Sequence, residues 1–287
     1  MRNLSKQLLK SKDLNSILAE SHDPKKQLKK VLGAWDLMLL GIGAIIGAGI
    51  FTTIGTAAAG DAARPGAGPS LILSFIITAV ACGFAAFCYA ELASLVPISG
   101  SAYTYSYATF GELVAWIIGW DLMIEYGVGA IAVSISWSGY FVELLHGFGV
   151  NIPPWATIDY RSAMHGFEKA SVLLAGGVPF DKLEAGLKTT WLAVHNSPHV
   201  FGLPIICNLP AFMVVFFLTM LLVIGIKESA RFNTVMVIIK FLVLGFFVVA
   251  GAFYVKPENW VPFAPNGFAG VKAAAAIAFF AYIGFDV

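Results

Sequence analysis

Six apolar segments constrain this chain more than any other feature: about 34–59, 70–96, 113–145, 205–226, 232–255 and 272–287. About 20 apolar residues cross a bilayer core of about 30 Å, and each of the first five segments can do so. The sixth offers 16 residues from Lys272 to Val287, about 24 Å of helix at about 1.5 Å per residue. The expectation is a chain that stops inside a membrane helix. Composition agrees: 58% of residues are hydrophobic and 12% charged, where a soluble domain carries roughly 25% charged residues, so an ordinary soluble enzyme is excluded. The net charge of +1 gives no basic field to hold a nucleic acid. Cys82, Cys88 and Cys207 sit in apolar runs and are odd in number, so they read as small buried hydrophobes and not as a disulfide framework.

Residues 1–32 form a polar tail holding eight of the 18 basic residues, expected in the cytoplasm. It lacks the apolar core and cleavage site of a signal peptide. With the tail inside, the cytoplasmic segments carry ten basic residues, including Lys227 and Arg231, and the outer side seven, which supports this orientation. The stretch 146–204, with Pro153, Pro154, Gly176, Gly177 and Pro198, reads as an extracytoplasmic loop long enough for short helices. Pro97 to Gly111, with Tyr103, Tyr105 and Tyr107, reads as an interfacial connector with aromatic anchors.

The first span holds four glycines within Gly41-Ile42-Gly43-Ala44-Ile45-Ile46-Gly47-Ala48-Gly49. Glycine tolerates unwound backbone and close approach. A break around Gly47 to Gly49 would free amide N–H groups at the positive end of the next half-helix, a geometry suited to a carboxylate. The same residues fit another reading, a small-residue packing face, because Gly43 and Gly47 have the Gly-x-x-x-Gly spacing. In the sixth segment Gly284 and Asp286 lie deep in an apolar run. A break near Gly284 would turn the carbonyls of Phe280 to Ile283 towards an ammonium. Two broken helices, one presenting N–H and the other C=O groups, complement a zwitterion. Phe279 and Phe280 also fit plain packing.

Lys240 has apolar neighbours on both sides in the fifth segment, and an ammonium inside a membrane is costly to keep and functional by default. It reads as a proton carrier or as a cation braced against backbone carbonyls. A structural ion pair with an acid is the alternative. In the third segment Asp121 and Glu125 share a helix face, and the deeper Glu125 is the candidate partner of Lys240 or of a substrate. No His-Glu-x-x-His, P-loop or cysteine pair at metal spacing is present, and nothing nominates a nucleophile triad. The reading is therefore of a protein that is not an enzyme and needs no metal or cofactor.

Four stretches together resemble the amino acid-polyamine-organocation superfamily and, within it, the cationic amino acid transporter type: Leu32-Gly33-Ala34-Trp35-Asp36-Leu37, Gly41 to Phe51, Tyr89 to Tyr103, and Phe280-Ala281-Tyr282-Ile283-Gly284-Phe285-Asp286. The resemblance implies an all-α polytopic membrane protein with a LeuT-like fold of two inverted five-helix repeats, of which this chain carries the first repeat and the start of helix six. Helices one and six would be broken at the substrate site. The substrate carboxylate would meet the amides of Gly47, Ala48 and Gly49, and its amino group the carbonyls of Ile45, Phe280, Ala281 and Ile283. Lys240 would sit near the carbonyls of Gly43 and Ile46 and couple transport to protons. Phe280 would be a gating aromatic, and Asp286 matches an acidic position beyond the sixth-helix break. Ala48 lacks a hydroxyl that some relatives carry there.

The implied function is secondary transport of amino acids, by proton-coupled symport or exchange, in the cell (plasma or inner) membrane. The implied partners are substrate, protons, lipid and the missing C-terminal half. A half-length product that needs that partner half, or does not transport at all, is the alternative expectation.

Overall fold

The computed structural model describes residues 10, 11, 13, 31–61 and 63–284. Most of the tail expected over 1–32, and Asp286, lie outside the described residues. The chain divides into two compact units, Met1–Val128 with Ile224–Val287, and Gly129–Val223.

In the first unit the opening span is divided. Helix α1 (Ala34–Ile45) stops, α2 (Ala48–Phe51) forms one short turn, and α3 (Thr53–Ala59) completes the crossing. Two short strands, β1 (Gly60–Asp61) and β2 (Arg64–Pro65), pair antiparallel. At their turn the Asp61 carboxylate accepts the Ala63 N–H at 2.8 Å and the Arg64 guanidinium at 2.8 Å. These bonds, that from Ala63 foremost, hold the carboxyl below the usual carboxylate range. Helix α4 (Leu71–Leu95) follows, then α5 (Ser101–Thr109), which turns most of the expected connector into helix, then the long α6 (Glu112–Gly147).

In the second unit the expected outer loop folds as α7 (Tyr160–Ala175) and α8 (Ala185–His195), followed by the hairpin β3 (His199–Val200) and β4 (Leu203–Pro204). Asp159 caps α7 by accepting the Ser162 N–H at 2.9 Å. Burial tends to raise its carboxyl, but the hydrogen bonds from Ser162 together with those from the backbone of Asp159 and Arg161 outweigh burial, and the net shift is downward. Ala163, Ala193, Val194 and Ile206 form a small buried core. On α6, Ser138 donates to the Asn208 side chain at 2.6 Å, and that side chain accepts the Ala211 N–H at 3.1 Å, capping α9 (Leu209–Ile224).

Helices α10 (Ile226–Ala252) and α11 (Gly267–Ala281) complete the first unit. Helices α4, α6 and α10 are long and apolar enough to cross a membrane, and α1, α9 and α11 are shorter apolar helices. At 16 residues, α9 is about 24 Å long, shorter than the span read from the sequence. Only Gly225 separates α9 from α10, so Lys227 and Arg231 occupy the first turns of a helix and not a loop. The reading of all three cysteines as buried is also corrected. Cys82 is buried, while Cys88 and Cys207 are exposed. Cys82 continues the Ser74–Thr78 stripe of α4 at four-residue spacing, whereas Cys88 lies six residues on and points to another side.

Candidate functional site

The break in the first span falls at Ile46-Gly47. The Ile46 N–H still bonds the Ile42 carbonyl at 2.9 Å, but Ile46 leaves the helical region at φ −78° and ψ 86°. The chain turns helical again at Ala48, and the Ile50 N–H reaches the Gly47 carbonyl at 3.3 Å. A helix end leaves its last carbonyls and the next helix start leaves its first amides without intrahelical partners. Ile45, Gly47 and Ala48 stand at that junction, with the buried Gly49 beside them.

Lys240 supplies part of what the break removes. From α10 its Nζ donates to the Ile46 carbonyl at 2.6 Å and to the Gly43 carbonyl at 3.2 Å. A cation here also meets the negative end of the α1 dipole. Two turns earlier on α10, Asn233 donates from Nδ2 to the Leu39 carbonyl at 3.0 Å. Its side chain presses on Gly43, where a methyl group would overlap the Asn233 amide. The sequence reading missed Asn233 because it placed the start of the span at residue 232, which made a polar residue there look interfacial. The available signal was the seven-residue spacing to Lys240, which puts both on one helix face.

Helix α11 ends at Ala281. The Tyr282 N–H then bonds Phe279 at 3.0 Å and the Ile283 N–H bonds Phe280 at 3.4 Å, and Gly284 takes φ +107°. The Phe280 carbonyl therefore has an internal donor and keeps one lone pair for another. The ends of the two broken helices touch. A methyl group on Gly49 would overlap Ala281, and one on Gly284 would lie 3.1 Å from the Ala44 side chain. Helix α11 is held in turn by α4, where buried Ser74 donates to the Val271 carbonyl at 2.9 Å and Thr78 to the Ala275 carbonyl at 3.2 Å. These hydroxyls, too, escaped the sequence reading, although Ser74, Thr78 and Cys82 repeat at four-residue spacing.

Gly49 is thus set against Ala281, and Lys240 against the carbonyls of Gly43 and Ile46. Glu125 is half-buried on α6 and Asp121 is exposed. Phe280 is 38% exposed. Beside α1 lies a cavity of about 890 Å³, bounded by Ala44, by Tyr89 and its alanine neighbours on α4, by the turn Ile98–Ser101, and by Tyr105 and Tyr126. Among the described residues no cluster of His, Cys, Asp or Glu could hold a metal ion.

The family model described as "Amino acid permease" matches residues 32–287. The chain belongs to the amino acid permease family, within the amino acid-polyamine-organocation superfamily. The chain is 46% identical to the branched-chain amino acid permease BcaP and 44% identical to the methylthioribose transporter, both of Bacillus subtilis (strain 168), each over 97% of the chain and 50% of the relative. It is 38% identical to the vacuolar cationic amino acid transporter 2 of Arabidopsis thaliana over 97% of the chain and 38% of the relative. The chain spans half or less of the length of these relatives. Family and apolar helices together make the chain an integral membrane protein.

Proposed function

We propose that this sequence forms the first half of a proton-coupled amino acid transporter, working by symport or exchange, in which the substrate backbone binds where α1 and α11 are interrupted. The observation that carries the reading is the direct packing of Gly49 on Ala281, which sets the amide-rich start of α2 against the carbonyl-rich end of α11. The amides of Gly47, Ala48 and Gly49 take the carboxylate. The carbonyls of Ile45, Phe280, Ala281 and Ile283 take the ammonium. Lys240 is the proton-coupling group: protonated, it holds the Gly43 and Ile46 carbonyls, and on losing its proton it has one donor fewer and no charge for them. Glu125 and Asp286 serve as polar groups of the transport path, and Phe280 gates the site. The tail lies in the cytoplasm, 146–204 faces outside, and the membrane is that of the cell surface.

The chain together with the second half found in its relatives, reconstituted in proteoliposomes, tests this reading. An imposed inward proton gradient is expected to drive accumulation of a labelled amino acid, and Lys240→Ala to abolish that accumulation. Unchanged gradient dependence in Lys240→Ala removes Lys240 from the coupling. Competition among branched-chain and cationic amino acids and methylthioribose sets the substrate class, and methylthioribose as the sole competitor overturns the zwitterion site.

A second reading concerns assembly and is supported by the share of its relatives that the chain covers. We propose that the 287 residues alone do not transport and require that second half. Saturable uptake by the chain alone overturns it.

A further inference from the structure

Helices α1 and α10 meet in a matched register. Seven residues separate the acceptors Leu39 and Ile46 on α1, and seven separate the donors Asn233 and Lys240 on α10. The lower donor meets the lower acceptor and the upper meets the upper, so the two helices run parallel, as alternating crossings require of the first and fifth spans. Between the donors, on the same face, Val237 is fully buried. A slip of one residue along α10 would turn this face by about 100° and carry Lys240 away from its carbonyls.

The two donors differ in kind. Lys240 changes charge when it loses a proton, whereas the Asn233 amide donates to Leu39 in the same way at every working pH. The other charged residues of the two helices lie far from the lysine contact. Asp36 is seven residues before Gly43 on α1, and Lys227, Glu228 and Arg231 are at least nine residues before Lys240 on α10, about 10 Å or more along the helices. The geometry leaves the neutral bond as the fixed point and the lysine bonds as the variable ones.

We infer that Asn233 is a positioning residue for Lys240: its amide pins Leu39, fixes the register of α10 on α1, and so sets Lys240 within reach of the Gly43 and Ile46 carbonyls. The inference rests on the reading of Lys240 given above only for its effect on coupling; the positioning itself is a separate claim with its own measurement.

The positioning arm measures how fast Lys240 reacts with a membrane-permeant imidoester in native membrane vesicles holding the full chain, read by mass spectrometry of the modified peptide. Asn233→Leu nearly keeps the side-chain size and removes the donor. It is expected to raise the rate about fivefold or more, within the range that loss of one net hydrogen bond commands. A rate within about twofold of the unsubstituted chain overturns the inference. Gly43→Ala, whose methyl displaces the Asn233 amide, is expected to match Asn233→Leu. Gly43→Ala combined with Asn233→Ala relieves the overlap without restoring the donor, and its rate is expected to stay raised; a return to the original rate overturns the inference by making packing, not the donor, the cause.

The coupling arm uses the chain with the second half of its relatives in proteoliposomes. Asn233→Leu is expected to cut gradient-driven accumulation about tenfold while leaving gradient-free counterflow within about twofold. Where Lys240→Ala removes accumulation, accumulation by Asn233→Leu within about twofold of the unsubstituted chain overturns the inference. Raised labelling in Asn233→Leu with normal coupling in Lys240→Ala overturns the proton-coupling reading and leaves the positioning role standing.

Discussion

Two pairs of parallel helices hold the broken spans, and they do so by different chemistry. Helix α4 holds α11 with the hydroxyls of Ser74 and Thr78 and with small side chains, Ala274 and Ala278 among them, all nearly or fully buried. Its acceptors, Val271 and Ala275, lie within an intact helix and already serve its ladder. Helix α10 holds α1 with an amide and an ammonium, and two of the three acceptors, Gly43 and Ile46, are carbonyls at a helix end that the break leaves short of donors. The first pair is a neutral, close-packed seam whose bonds do not depend on protonation. In the second, one end is neutral and the other carries a charge.

The comparison can be broken at three points. The largest effect is expected where the two broken helices meet. Gly49→Ala drives a methyl group into Ala281 and should lower substrate uptake at least about tenfold, a change of about 1.4 kcal/mol or more. Adding Ala281→Gly should recover part of it, measured by uptake at equal amounts of protein. Next comes Lys240→Ala, which should remove gradient-driven accumulation and spare counterflow. Ser74→Ala and Thr78→Val together should do the reverse. They should lower thermal stability in detergent by about 1 kcal/mol, at about 0.6 kcal/mol per interhelical bond, and leave the gradient dependence intact. A loss of coupling in that double variant would erase the distinction between the two seams.

The smallest effect lies outside both pairs, in the capped helix α7, and serves as a control. The Asp159 carboxyl is held below the ordinary range, so its contribution is complete above the unfolded carboxylate value of about 3.9 and is lost as pH falls through the lower folded value. Asp159→Asn, an equally good cap, should change the stability of Tyr160–Ala175 by less than about 0.5 kcal/mol at pH 7. It should also abolish the acid-dependent loss, as hydrogen exchange corrected for its intrinsic pH dependence would report.

Much of the fold was legible because a bilayer asks for long apolar runs, and each of the six apolar segments carries an apolar helix at close to its expected position. A break in the first span was one of two readings the glycine spacing allowed, expected around Gly47 to Gly49 and found at Ile46-Gly47, and the contact of Lys240 with Gly43 and Ile46 was implied by family resemblance. Side-chain facing was not legible. A helix that is apolar all round has no amphipathic stripe to show which side meets protein, so the Ser74–Thr78 face and Asn233 had only the four- and seven-residue spacing of their polar groups to mark them. Boundaries failed where a single extended residue, Gly225, does the work of a loop, and where the Tyr-rich connector winds into α5.

The contact of Gly49 with Ala281, echoed by Gly284 with Ala44, carries a consequence for heredity. A side chain at position 49 would fill the space that the Ala281 methyl group holds, so that crossing has no room for a carbon on both sides. A lineage of such chains can enlarge position 49 only by shrinking position 281. The two positions, more than two hundred residues apart in the chain, are therefore bound to change as a pair, and that pairing should appear as correlated substitution wherever many descendants are compared.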